Sequence, residues 1–193
     1  MPDFLQIHLR TERLYLRSLQ HFDTQAMQQY FTENLADFQA SMPKVSADFL
    51  SIAYQQQLVQ QHISLAKQKR MLHLLLFVAD NEQAIIGDIC FSQIIFSAFR
   101  SCFVGYKTAV AFQRKGFMYE ALCASLHYIF TQIGLHRVEA NIIPFNEKSI
   151  ALVEKIGFEK EGYSHKYLQI NGTWEDHLRY AILAENFVFG KKL

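Results

Sequence analysis

Apolar positions change period several times along the chain, and each change marks an element. In Arg13-Leu14-Tyr15-Leu16-Arg17, Leu14 and Leu16 alternate with polar or amphipathic neighbours, which predicts a strand with one buried face. Two helical stretches follow, the second the clearer. Phe49, Ile52, Val59, Ile63 and Ala66 keep spacings of three and four, Ser46 is placed to cap the start, and Lys67, Lys69 and Arg70 suit the negative end of the dipole, predicting a helix over 46–69. From Met71 the period shortens. Segments near 72–79, 85–96 and 101–108, separated by a turn at Asp80-Asn81 and by Ala98-Phe99-Arg100, predict an antiparallel meander. Met118, Leu122, Leu126, Ile129 and Ile133 then mark a helix that Gly134 closes. A strand at 136–143, a short helix capped by Asn146 and stopped by Gly157, and strands near 158–170 and 173–183 complete the pattern. Runs of strands with helices between only some of them predict an α+β domain with a mixed sheet.

Composition narrows the class. Half of the 193 residues are hydrophobic, with 17 Phe and 9 Tyr, and a chain of this length buries roughly 70% of its unfolded surface around one core. With no Gly- or Ser-rich linker, residues 1–193 are read as one domain. A formal net charge of +1 argues against a broad phosphate-gripping surface. Cys90, Cys102 and Cys123 form no C-x-x-C pair and read as reduced core residues. No apolar run approaches the roughly 20 residues that span a bilayer, and Met-Pro-Asp-Phe begins no secretory leader, so a cytoplasmic protein is expected. The eight His are scattered without ligand spacing, and no metal site is expected.

Chemistry concentrates in Val110-Ala-Phe-Gln-Arg-Lys-Gly-Phe-Met-Tyr-Glu120, where a strand passes through a basic loop into a helix. The first turn of a helix leaves backbone N–H groups without partners, and with the dipole these attract anions. Gly116 allows close approach to the backbone, while Gln113, Arg114 and Lys115 add donors and two positive charges. The same pattern also fits a plain strand-to-helix turn with solvated basic side chains. It lacks the spacing of an NTPase loop or a dinucleotide-binding fold. Asn146 and Ser149, one turn apart, read either as a cap with its first-turn serine or as a polar pair beside that loop. Glu139 and Asn141 share one strand face, where Glu139 is a candidate general base or a partner of Arg137. Glu175, Asp176 and His177 beside Trp174 suit a positively charged peptide terminus, or else form an exposed hairpin turn. Tyr163 and Tyr167 are acid candidates or packing.

The order Gln113-Arg-Lys-Gly-Phe-Met118, Glu120-Ala-Leu, Asn146-x-x-Ser149, Glu154-Lys-Ile-Gly-Phe-Glu-Lys-Glu-Gly162 and Asn171-Gly-Thr-Trp-Glu-Asp-His177 resembles the GNAT acyl-CoA N-acyltransferases. Within them it is most similar to the RimJ/RimL branch, the ribosomal-protein-alanine N-acetyltransferases, and to its RimJ members. Met118 stands where the broad superfamily loop has a small residue. The resemblance implies a twisted, seven-stranded mixed sheet with about four helices, splayed where acetyl-CoA enters. It implies that the backbone of Lys107 to Val110, Thr108 included, pairs with the pantetheine arm, with the oxyanion donor near Ala109 or Val110. The N–H groups from Arg114 through Gly116 and Phe117 to Met118 then hold the diphosphate. Asn146 contacts the CoA arm, and Ser149 faces the sulfur as a catalytic residue; the second catalytic candidate, Glu139, comes from its strand face and not from the resemblance. Asn141, Trp174 and Asp176 are expected on the acceptor side. The implied reaction is acetyl transfer to a protein N-terminal amine, with a ribosomal protein as partner and the enzyme a monomer or homodimer. Acetylation of a small amine or polyamine, and a ribosome-associated assembly factor that binds CoA, are the alternatives.

Overall fold

The computed structural model describes residues 2–79 and 81–189. The expected turn at Asp80-Asn81 thus lies partly outside the described residues, at Asp80. Strands β1 (His8–Arg10), β2 (Leu14–Ser18), β3 (Met71–Val78), β4 (Gly87–Ile95), β5 (Ser101–Thr108), β6 (Arg137–Ile142), β7 (Glu159–Ile170) and β8 (Thr173–Leu183) form one sheet in the order β1-β2-β3-β4-β5-β6-β8-β7. Eight strands replace the expected seven. The extra edge strand β1 spans three residues, exposed, half-buried and exposed in turn, too short for an alternation to register.

The period-2 rule explains how the sheet is covered. Along β3, Leu72, Leu74 and Leu76 turn to one face, where they join Ala121, Leu122 and Leu126 of helix α3 (Phe117–Tyr128) and Val153 of α4 (Glu147–Ile156). Leu75 and Phe77 turn to the other, against Met27, Tyr30 and Phe31 of α1 (Thr24–Phe38) and Val59 and Ile63 of α2 (Ile52–Lys67). A strand buried on both faces reads as the continuous apolar run seen from Met71. Helix α2 begins later than its apolar spacing predicts. Ser51 caps it by accepting the Tyr54 N–H at 3.2 Å, and Phe49 belongs to the preceding turn, its ring 5.0 Å from that of Phe31. The expected cap at Ser46 is therefore corrected to Ser51. Gly134 ends the π-helical turn Ile129–Ile133 that continues α3, and Gly157 ends α4, both in the left-handed region at φ 78 and 109, as expected of C-caps.

All neighbouring strands are antiparallel except β5 and β6, which α3 connects. Gly87, at the start of β4, sits so close to β5 that a Cβ there would lie 2.7 Å from the Lys107 carbonyl oxygen. Because that neighbour is backbone in a paired strand, Gly87→Ala is expected to cost about 1–3 kcal/mol. Thermal denaturation measures it, and an unchanged Tm contradicts the expected crowding.

Candidate active site

The parallel pair β5 and β6 is in register only from Ser101, Cys102 and Phe103 to Arg137, Val138 and Glu139. Beyond that the strands part. Val104 to Lys107 on one side and Ala140 to Ile143 on the other line a cleft of about 210 Å³, completed by Asn146, Ser149, His177 and the Ser41–Pro43 loop. The Ala109 N–H donates to the Ile86 carbonyl at 2.9 Å, toward β4. Alternation along an extended strand therefore aims the Tyr106 and Thr108 N–H groups at the gap. The donors expected from Ala109 and Val110 are corrected here: Val110 N–H donates to Asn34 Oδ1 of α1 at 2.8 Å, so both amides are occupied.

At the mouth of the gap, α3 starts at Gly116, whose φ of 78 is left-handed and whose side-chain position carries no capping bond. The N–H groups of Phe117, Met118 and Tyr119 have no acceptor within the helix. Met118 itself packs in the core, 7% exposed, so this residue offers the site its amide and not its side chain. Neighbouring groups brace the loop. Gln113 donates to Asp37 at 2.8 Å and accepts from Lys148 at 3.5 Å. Arg13 donates to the Lys115 carbonyl at 3.0 Å and pairs with Glu120 at 2.6 Å. Burial opposes charge on Glu120, but bonds from Thr11 and Arg13 outweigh it and hold its carboxyl below the usual range. Arg114 and Lys115 are exposed.

On the opposite wall, Asn146 Oδ1 accepts the Ser149 N–H at 3.2 Å, as a cap should, and both residues line the cleft. Tyr106 donates to the Ser149 carbonyl at 3.3 Å; burial, only partly offset by that bond, pushes its phenol up to about 12. Asn141 Nδ2 donates to Tyr167 at 3.3 Å, while its buried Oδ1 lacks a partner among the described residues. An orphaned acceptor in a cleft wall fits a donor brought by a ligand. Of the three residues expected on the acceptor side, Asn141 alone lines the cleft. Trp174 and Asp176 fall on the face of β8 opposite His177, and Asp176 is bonded instead to Tyr163 at 2.6 Å and Lys166 N–H at 2.7 Å. Glu139 is also corrected. Arg137 donates to one of its oxygens at 3.0 Å and Arg179 to the other at 2.8 Å, and it is not among the residues that line the cleft.

A buried polar chain that no sequence motif announces lies behind β5. Asp88, 2% exposed, faces Lys107 at 3.7 Å, His73 at 3.1 Å and Tyr30 at 3.1 Å. Burial works against the Asp88 charge, yet Lys107 and the His73 bond hold its carboxyl down to about 2. His73 in turn meets His62 of α2 at 2.9 Å. Burial, reinforced by His73, lowers His62 to about 3. Unfolded histidine takes a proton near pH 6.5 that folded His62 refuses until about 3. The unfolded state is therefore favoured as pH falls through that window. Asp88 acts only lower, its contribution present above roughly pH 4 and lost toward about 2. From pH 7 to 5 stability should fall by about 2 kcal/mol, and His62→Gln should flatten much of that slope in thermal denaturation. A parallel slope in the variant contradicts it.

A twisted sheet that opens between two parallel neighbours, with an uncapped helix N-terminus at the mouth and polar side chains within, is the arrangement of an acyl-CoA N-acyltransferase. The Acetyltransferase (GNAT) domain family model matches residues 13–159, and the chain belongs to that family, an N-acetyltransferase with acetyl-CoA as its acyl donor. It is 32% identical to the [ribosomal protein uS5]-alanine N-acetyltransferase of Escherichia coli K12 over 96% of this chain and 95% of that one. It is also 32% identical to the probable N-acetyltransferase YjcK of Bacillus subtilis over 91% and 96% of the two chains. Among solved structures, the ribosomal-protein-S5-alanine acetyltransferase of Vibrio fischeri superposes with a TM-score of 0.87 at 30% identity, covering 95% of this chain and 100% of that one. No described helix is long and apolar enough to cross a membrane.

Proposed function

We propose that the protein acetylates the N-terminal α-amine of a ribosomal protein that begins with alanine. The observation that carries this reading is likeness over nearly the full chain, cleft walls included, to the Escherichia coli and Vibrio fischeri enzymes named for that reaction. Amine chemistry supports it. An α-amine has a pKa near 7.7–8.0 against about 10.4 for lysine, so freeing its lone pair at pH 7 costs about 3–4 kcal/mol less. A site without a strong carboxylate base favours the easier nucleophile.

Acetyl-CoA supplies the activated thioester. In this reading the amides of Arg114 through Met118 bind its diphosphate, with the basic side chains of Arg114 and Lys115 screening the charge. The Thr108 and Tyr106 amides pair with the pantetheine arm and receive the developing oxyanion; losing such a donor typically costs about 3 kcal/mol. Asn146 contacts the arm, and Ser149 orients or protonates the departing sulfur. Asn141 holds the peptide terminus through its free Oδ1. Glu139, clamped by two arginines, shapes the wall and transfers no proton.

Ser149→Ala is expected to lower kcat about 100-fold with coenzyme A affinity unchanged; an unaltered kcat removes Ser149 from the chemistry. The substrate is tested by incubating the protein and acetyl-CoA with an alanine-starting peptide that carries the N-terminal sequence of ribosomal protein uS5, and separately with spermidine. A mass gain of one acetyl group on the peptide is expected. Acetylated spermidine with an unmodified peptide overturns the reading in favour of a polyamine acetyltransferase.

A further inference from the structure

We propose that His177 is the base that accepts the proton of the acceptor amine, an inference that rests on the N-terminal acetylation reading. His177 lies on β8, 2% exposed, and still lines the cleft beside Asn141. Its Nδ1 is 3.0 Å from the Glu175 carbonyl oxygen. A carbonyl only accepts, so Nδ1 carries the proton of the neutral ring and Nε2 carries the lone pair. Among the described residues Nε2 has no hydrogen-bond partner, and the residue is one of those lining the cleft.

The ring is held as well as oriented. Tyr167 of β7 packs against it at 5.5 Å and accepts from Asn141 of β6. The Arg179 guanidinium lies 5.0 Å over Tyr167 and is fixed by Glu139 at 2.8 Å. Glu139 thus acts at a distance, as a positioning residue for the wall that carries His177. Ser164 of β7 stands opposite in register, and the Ser41–Pro43 loop covers the same opening. These strands also carry Arg137, which donates to Glu139 and Glu161, and Asp176, which accepts from Tyr163 and the Lys166 N–H, alongside Glu175 and the Glu139–Arg179 pair.

Elimination points the same way. The other titratable side chains lining the cleft are Tyr106 and Lys107. Tyr106 is bonded to the Ser149 carbonyl as a donor and keeps its proton at neutral pH, being pushed up to about 12. Lys107 is turned toward Asp88. Among the described residues no carboxylate lines the opening.

In the step, Nε2 takes one proton from the α-ammonium, and the freed lone pair forms the C–N bond at the thioester carbonyl. The C–S bond breaks with its electron pair leaving on sulfur, which receives the second amine proton. The imidazolium returns its proton to solvent, so one proton is released per acetyl group transferred.

His177→Asn tests this, because the asparagine amide retains a donor for the Glu175 carbonyl while lacking Nε2. With the alanine peptide at pH 7 its kcat is expected to fall about 100-fold, with KM for acetyl-CoA within about threefold. At pH 9.5, where the amine is neutral unaided, most of the rate should return, and imidazole in the buffer should partly rescue His177→Ala. A His177→Asn kcat within threefold of wild type at pH 7 overturns the proposal. So does a loss that persists at pH 9.5 and resists imidazole, which marks a structural role. Wild-type protein that leaves the peptide unmodified fails earlier and overturns the substrate reading itself.

Discussion

Gly116→Asp is expected to weaken coenzyme A binding at least 100-fold while leaving the protein folded. Gly116 occupies the N-cap of α3 at φ 78, a conformation that Asn and Asp tolerate better than other non-glycine residues. A Cβ there meets only the Arg13 guanidinium at 3.4 Å, an ordinary contact with the end of a flexible side chain. What changes is electrostatics. A carboxylate beside the free amides of the first turn takes up donors meant for the diphosphate and repels it. A 100-fold loss corresponds to about 2.7 kcal/mol, within reach of one misplaced charge against a dianion. Gly116→Asn, equal in shape and neutral, should lose about tenfold or less. Titration calorimetry with coenzyme A separates the two. Binding by Gly116→Asp within threefold of wild type would place the diphosphate elsewhere.

The second large effect is on stability. Asp88→Leu should cost about 3–5 kcal/mol, a fall in Tm of roughly 10 °C. Asp88 is the shared partner of Lys107, His73 and Tyr30, from β5, β3 and α1. Removing the carboxylate leaves those polar groups buried or half-buried without their acceptor, which costs more than the ion pairs contribute net. Replacing Lys107 together with Asp88 removes one stranded charge, so Asp88→Leu with Lys107→Met should recover part of the loss. A single variant within 1 kcal/mol of wild type would mean that the chain of polar groups is solvated, contrary to the burial of Asp88.

These two sites show what local sequence does and does not reveal. The loop from Gln113 to Met118 and the Asn146 cap were legible because their chemistry is local: a strand, a glycine, a helix start, and backbone groups any residue supplies. Leu14 and Leu16 announced β2 for the same reason. Asp88, His73 and Lys107 sit on three strands, and only the pairing of Asp88 with Leu75 and Lys107 brings them together. The Val110 amide is a free donor as far as its local sequence shows, and it is Asn34, from a distant helix, that accepts it. Alternation along β6 puts Glu139 on one face with Asn141, but its second arginine comes from β8, 40 residues on. In sequence His177 groups with Glu175 and Asp176, yet alternation sends it and Asp176 to opposite faces. Ser46 has the position of a cap only because Phe49 is buried, and Phe49 is buried by a turn and not by a helix.

Each role assigned to the cleft requires acyl-CoA to lie in the opening between β5 and β6. A crystal structure of the protein with coenzyme A decides it. The expected result has diphosphate oxygens within hydrogen-bond distance of the Phe117 and Met118 amides, the pantetheine chain alongside Tyr106 to Thr108, and the sulfur near Ser149. Coenzyme A bound elsewhere, with that opening filled by solvent, would contradict it.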